Sequence, residues 1–133
     1  MGGMPRALRV LLVEDHENTR ESFKLLLETW SCEVDTAEDG DVGLRLALNG
    51  SYDAVILDLH LPGRDGLEVG RVLAQLTPRP YLFAYTAFSR TQDRERTQAA
   101  GFDMHLAKGS AIGIDQLKAR LKELKTSLGD RAL

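Results

Sequence analysis

The chain has 133 residues, 43% hydrophobic and 28% charged, with a net charge of −3. That is enough chain for one domain with its own core, and the charge balance excludes a strongly basic nucleic-acid binder. No apolar run approaches the ~20 residues of a membrane span and the first residues lack the apolar stretch of a secretion signal, so a soluble, cytoplasmic domain is expected. Cys32 is the single cysteine, which excludes an internal disulfide and a cysteine-based zinc site.

Five short apolar runs recur along the chain: Leu8–Val13, Cys32–Ala37, Ala54–Leu57, Tyr81–Tyr85 and Met104–Ala107. Their starts lie 24, 22, 27 and 23 residues apart, room for one strand, one helix and two loops each time. Between the first and second, Phe23, Leu26, Leu27 and Trp30 fall at helical spacing. After the second run Leu44, Ala47 and Leu48 form an apolar face, with Gly50 at the expected helix end. After the third, Leu67, Val69, Val72, Leu73 and Leu76 predict a helix stopped by Pro78 and Pro80. After the fourth, Ser89 and Gln92 read as a capping box and Gly101 as a C-terminal stop. After the fifth, Ile114, Leu117, Leu121, Leu124 and Leu128 form one stripe.

The first run is broken by Arg9, but Val10–Val13 and Ala54–Leu57 are apolar on both faces, as expected of central parallel strands covered on both sides. The second alternates and reads as an edge strand. The expected fold is therefore α/β, a single doubly wound (βα)5 domain with a five-stranded parallel sheet in the flavodoxin-like order 2-1-3-4-5. Its span is 8–128, between short tails 1–7 and 129–133. Ligands in such sheets bind beyond the carboxyl ends of the strands, at the switch between strands one and three.

Glu14 and Asp15 end strand one, and Asp58 ends strand three. Two unit charges about 4 Å apart repel by about 4 kcal/mol at an effective dielectric of about 20, so such a cluster calls for a proton or a cation. Hard oxygen ligands without histidine or cysteine suit Mg2+. Thr86 and Lys108 end strands four and five on the same edge. A hydroxyl and a fixed cation opposite a metal are the parts that hold a transferring phosphoryl group, and an aspartate can be its nucleophile.

In Val10-Leu-Leu-Val-Glu-Asp15, Asp58-Leu-His-Leu-Pro-Gly-Arg-Asp-Gly66, Tyr85-Thr-Ala87 and Leu106-Ala-Lys108, in this order, the chain resembles the receiver domain of bacterial two-component response regulators (CheY-like), from about Leu8 to Leu128. The resemblance implies a phosphorelay role: Asp58 accepts a phosphoryl group from a phosphohistidine on a sensor histidine kinase or histidine phosphotransfer protein. It implies Mg2+ held directly by Asp15, Asp58 and the backbone carbonyl of His60, with Glu14 acting through water. Lys108, Thr86 and the Ala87 backbone N–H would hold phosphoryl oxygens. Thr86 and residue 105 would form the switch, and His60 and Phe88 would tune phosphoryl lifetime. Pro62, Gly63 and Gly66 would shape the loop after strand three. The chain would turn over no outside substrate, acting only on its own aspartate, and would signal by docking to an output protein without contacting nucleic acid or membrane.

Two positions depart from the family pattern. His105 replaces the usual Tyr or Phe, and Gly109 replaces the proline that usually follows the lysine through a cis bond. A cis bond without proline costs about 2.5–4 kcal/mol, so a trans Lys108–Gly109 bond is expected. Burying His105 neutral requires a partner for its ring N–H, and a surface position is the simpler expectation. These departures leave open a receiver-like binding module that no longer uses phosphate. A flavodoxin-type FMN carrier fits poorly, because Glu14 and Asp15 would repel the phosphate. An aspartate-nucleophile phosphatase needs a second Asp where His60 stands. Lys118, Lys122 and Lys125 share one helix face, which reads either as a solvated surface or as a dock for an acidic partner.

Overall fold

A computed structural model describes residues 7–87 and 91–132 of the chain, with side chains through 128. Its elements alternate without exception: β1 (Leu8–Val13), α1 (Glu17–Thr29), β2 (Cys32–Ala37), α2 (Gly40–Asn49), β3 (Ala54–Asp58), α3 (Gly66–Leu73), β4 (Tyr81–Thr86), α4 (Thr91–Ala100), β5 (Met104–Ala107) and α5 (Ala111–Ala132). All strand pairs are parallel, and the sheet order is β2-β1-β3-β4-β5. The expected topology and the edge position of β2 both hold.

Side chains alternate across a strand, so each central strand feeds two cores. Leu8, Val10 and Leu12 of β1 join Ile56, Phe83 and Leu106 on one face, where Phe23 and Leu27 of α1 and Leu117 and Leu121 of α5 cover them. Leu11 and Val13 join Val55, Leu57, Leu82 and Ala84 on the other, beneath α2, α3 and Phe102. Every residue of β3 is buried, as a parallel strand at the middle of a two-sided sheet must be.

The helix stripes hold for α1 and α5 and need correction elsewhere. Leu48 of α2 is 51% exposed, and the helix meets the sheet through Gly43 and Ala47 instead. A Cβ on Gly43 would come within 2.9 Å of Val13, so the small residues let the two backbones approach. In α3 the core-facing residues are Leu67, Val69 and Leu73, while Val72 is exposed. That helix stops at Leu73, before Leu76 and well before the two prolines. Gly50 caps α2 in an extended conformation (φ −107°), and a side chain there would meet the Tyr52 ring. Gly101, at φ 98°, does supply the left-handed stop expected after α4. The Ser89–Gln92 cap lies outside the described residues.

Helix α4 differs from its neighbours. Only Thr97 and Ala100 of it are buried, and apart from Ala99 the remaining side chains are polar. The buried hydroxyl of Thr97 donates to the Arg94 carbonyl (2.9 Å) and lies 3.2 Å from Nδ1 of His105 on β5. His105 is thus half-buried and supplied with a partner, rather than lying at the surface.

Candidate functional site

Strand register assembles the acidic cluster. Val13 lies opposite Leu57, so the next residues, Glu14 and Asp58, emerge side by side at the carboxyl edge. Asp58 lies opposite Tyr85, and Thr86 opposite Ala107, which brings Lys108 to the same edge. One carboxylate oxygen from each of Glu14, Asp15 and Asp58 lies within 4.8 Å of the others. Glu14 and Asp58 are buried at 1% and 4% exposure, while Asp15 is half-buried.

Lys108 holds the cluster together. Its ammonium donates to Asp58 Oδ2 at 2.6 Å and to both oxygens of Glu14 at 3.0 and 3.3 Å. The other Asp58 oxygen accepts the backbone N–H of His60 at 3.0 Å. Burial pushes the Glu14 carboxyl above its ordinary range, a hydrogen bond and the charge of Asp58 push the same way, and Lys108 only partly offsets them. For Lys108, burial pulls the ammonium down, but its bonds to Asp58 and Glu14 together outweigh this and leave it raised. The site therefore carries more negative charge than its one lysine neutralises. An all-oxygen set of three carboxylates, with no nitrogen or sulfur ligand among them, fits a hard divalent cation such as Mg2+.

Local structure fixes these groups. The Glu14 N–H bonds the Ala37 carbonyl across to β2, and the Arg20 guanidinium donates to the Glu14 and Asp15 carbonyls at 3.0 and 3.3 Å. Gly66 opens α3 directly beneath β3, where a Cβ would come within 2.4 Å of the Asp58 carbonyl oxygen. The Asp65 carboxylate caps that helix through the Leu67 N–H at 2.8 Å. The Lys108 N–H bonds the Thr86 carbonyl at 2.9 Å, so β4 and β5 enter the site as a unit. Among the described residues, no buried side-chain nitrogen or oxygen lacks a hydrogen-bond partner.

The site residues expected from sequence that lie among the described residues fall into three groups. Glu14, Asp15, Asp58 and Lys108 are brought together. Thr86, fully buried, and Ala87, exposed, stand at the end of β4 on the same edge, with His60 exposed on the loop after β3. His105, opposite Ala84, lies two strand positions behind Ala107 and faces α4, bonded to Thr97. Phe88 lies outside the described residues. Among the described residues the only cis bond is Thr77–Pro78, so Lys108–Gly109 is trans, and Gly109 takes φ 73°. Sequence reasoning missed two supporting residues. Arg20 gives no sequence signal, being one of many charges on an amphipathic helix. Tyr85 was legible only as a core residue, yet its ring lies 5.5 Å from Lys108 Nζ and stacks edge-on against Phe23.

Comparison with known proteins follows the same lines. The family model "Response regulator receiver domain" matches residues 10–122. The response regulator ArlR of Staphylococcus saprophyticus is 35% identical over 116 residues, which are 87% of this chain and 51% of that protein. The virulence sensor protein BvgS of Bordetella pertussis is 35% identical over 124 residues, 88% of this chain and 10% of that one. The solved structure of TrrA from Thermotoga maritima in complex with Mg2+ and BeF superimposes with a TM-score of 0.77 at 34% identity, covering 88% of this chain and 98% of that one. The chain spans about half the length of the first curated relatives it matches. No helix among the described residues is long and apolar enough to cross a membrane. From fold, site and sequence together, the chain belongs to the family of response-regulator receiver domains.

Proposed function

We propose that Asp58 is the phosphoacceptor of this receiver domain and that Mg2+ binds in the Glu14–Asp15–Asp58 cluster during the transfer. The observation that carries this reading is Lys108, whose ammonium bridges Asp58 at 2.6 Å and Glu14 at 3.0 Å in a site with surplus negative charge. A solvated loop of acids needs no such bridge. A phosphoryl group arriving at Asp58 brings further negative charge, and Lys108 is already within reach of the oxygen that would bear it.

An Asp58 carboxylate oxygen attacks phosphorus, the P–N bond of a phosphohistidine breaks, and the departing imidazole nitrogen keeps the electron pair and takes up a proton. Asp15 and Asp58, the His60 carbonyl and, through water, Glu14 would hold the metal, which when bound supplies charge neutralisation for the phosphoryl oxygens. Lys108, Thr86 and the Ala87 N–H are assigned to those oxygens, and Thr86 and His105 to the relay of the change toward α4. His60 and Phe88, two residues beyond Asp58 and Thr86, are assigned to the attacking water's access. The donor is a histidine kinase or phosphotransfer protein, and the output is docking to a further protein. The chain acts on its own aspartate only.

The test is labelling by a phosphorylated histidine donor, with Mg2+ and with chelator, in wild type and Asp58→Asn. Wild type takes up one phosphoryl group per chain with Mg2+ and none with chelator, and the variant takes up none. Stoichiometric labelling of the variant refutes the assignment. An unlabelled wild type supports a binding module that does not use phosphate.

A further inference from the structure

At the opposite end of the sheet, between the last turn of α1 and the middle of α5, lies a cavity of about 620 Å³. Its apolar part is the Trp30 ring, Leu121 and Cys32, and its rim carries Lys118, Lys122 and Lys125. The volume falls within the roughly 300–1,000 Å³ of small-molecule sites. We propose that this cavity binds an aromatic organic anion, with its ring system against Trp30 and its charged group between the lysines.

The three lysines follow from helix geometry, since positions 118, 122 and 125 rise along one face of α5 beside the core stripe of Leu117 and Leu121. Two of them are demonstrably at the cavity. Lys118 Nζ stands 5.8 Å from the centre of the Trp30 ring. Lys125 is near enough to Cys32 for its charge to pull against the burial that pushes the thiol up. Among the described residues no carboxylate pairs with any of the three. One cation would suffice to offset the C-terminal end of α1's dipole, and three exceed that need.

A larger cavity on the same end of the molecule, about 810 Å³, makes the contrast. Its cations are already engaged: Arg9 reaches the Ser51 carbonyl and Asp35, and Arg79 pairs with Asp103. Of these two, the Trp30 cavity combines an apolar floor with lysines that no carboxylate among the described residues pairs with, the two features that select an amphipathic anion over a neutral or cationic ligand. Its inner edge is formed at Cys32, the first residue of β2, beside the start of β1. Val13 ends β1 roughly 17 Å away at strand rise, next to the acidic cluster, so this site stands apart from the phosphoryl chemistry.

Trp30 is the chain's single tryptophan and reports occupancy directly. The probe is 8-anilinonaphthalene-1-sulfonate, titrated into the full chain at low and high salt, with the uncharged N-phenyl-1-naphthylamine as comparator. The sulfonate is expected to saturate at one per chain and quench Trp30. It should bind about tenfold tighter than the neutral compound and lose about tenfold in Lys122→Gln/Lys125→Gln or at high salt. If the double variant does not fold by near-ultraviolet circular dichroism, the wild-type salt series and Lys125→Gln carry the test. Equal binding of the neutral compound, binding without Trp30 quenching, or affinity indifferent to salt overturns the proposal. Saturation by a poly-glutamate peptide but not by the sulfonate overturns it in favour of an acidic protein partner.

Discussion

The proposed chemistry turns on Lys108, because one ammonium contacts two buried carboxylates that would otherwise repel. Its removal has two opposite consequences. Mg2+ competes with it for the same negative charge, so Lys108→Ala should bind Mg2+ tighter, by about tenfold for a charge pair worth somewhat more than 1 kcal/mol. Phosphoryl transfer loses a fixed positive group at the phosphoryl oxygens and should slow by about 100-fold or more. Calorimetry and labelling read the two effects separately, and a variant that binds metal less tightly would show that Lys108 helps to build the metal site rather than to oppose it. The positions of these residues were legible in sequence because Glu14, Asp58, Thr86 and Lys108 each sit one place past an apolar run and Asp15 two places past. The second layer was not. Arg20 supports Glu14 and Asp15 through their carbonyls, and backbone contacts of this kind leave no mark on residue type.

Elements were legible wherever burial is two-sided. Runs such as Val10–Val13 and Ala54–Leu57 can satisfy their apolar faces only as central strands, and with the alternating Cys32–Ala37 at an edge they pointed to the doubly wound order. Helix faces were harder, since glycines and alanines carry the contact in α2 and hydrophobic weight alone misplaced it onto Leu48. The connection after β5 was read correctly as trans, but its geometry was not. Gly109 takes φ 73° with nothing within 4 Å of a Cβ built on it, so the loop depends on backbone conformation rather than on space. Restoring the family's usual residue should therefore harm this chain. Proline is fixed near φ −65°, and Gly109→Pro should lower stability by about 1–3 kcal/mol in urea unfolding and slow phosphorylation by displacing Lys108. An equally stable, equally active variant would mean that the loop can adopt the family's usual turn at no cost.

The whole molecule is polarised along its strands, with the acidic cluster at the carboxyl edge and a set of structural ion pairs at the other. A hydrogen bond beside them gives stability a readable pH dependence. The Tyr52 hydroxyl donates to Asp35 at 2.7 Å, tying the segment before β3 to the edge strand β2. Burial, then the bond to Asp35 and its charge, push this phenol up to about 12 from an ordinary 10. The folded state therefore favours the protonated phenol. Its contribution is fully present below pH 10 and is lost as the pH rises through about 12. The stability difference between wild type and Tyr52→Phe should be constant up to pH 10 and shrink between 10 and 12. A difference that is flat across that range would show that the bond contributes nothing to the fold.

The central claim is that Asp58 carries the phosphoryl group, and direct chemical mapping tests it. An acyl phosphate on aspartate is reduced by borohydride to homoserine, and peptide mass spectrometry then identifies the residue. After labelling with a phosphorylated histidine donor and Mg2+, homoserine is predicted at position 58 and nowhere else. Homoserine at Asp15, or a label that resists borohydride and hydroxylamine, would contradict the account.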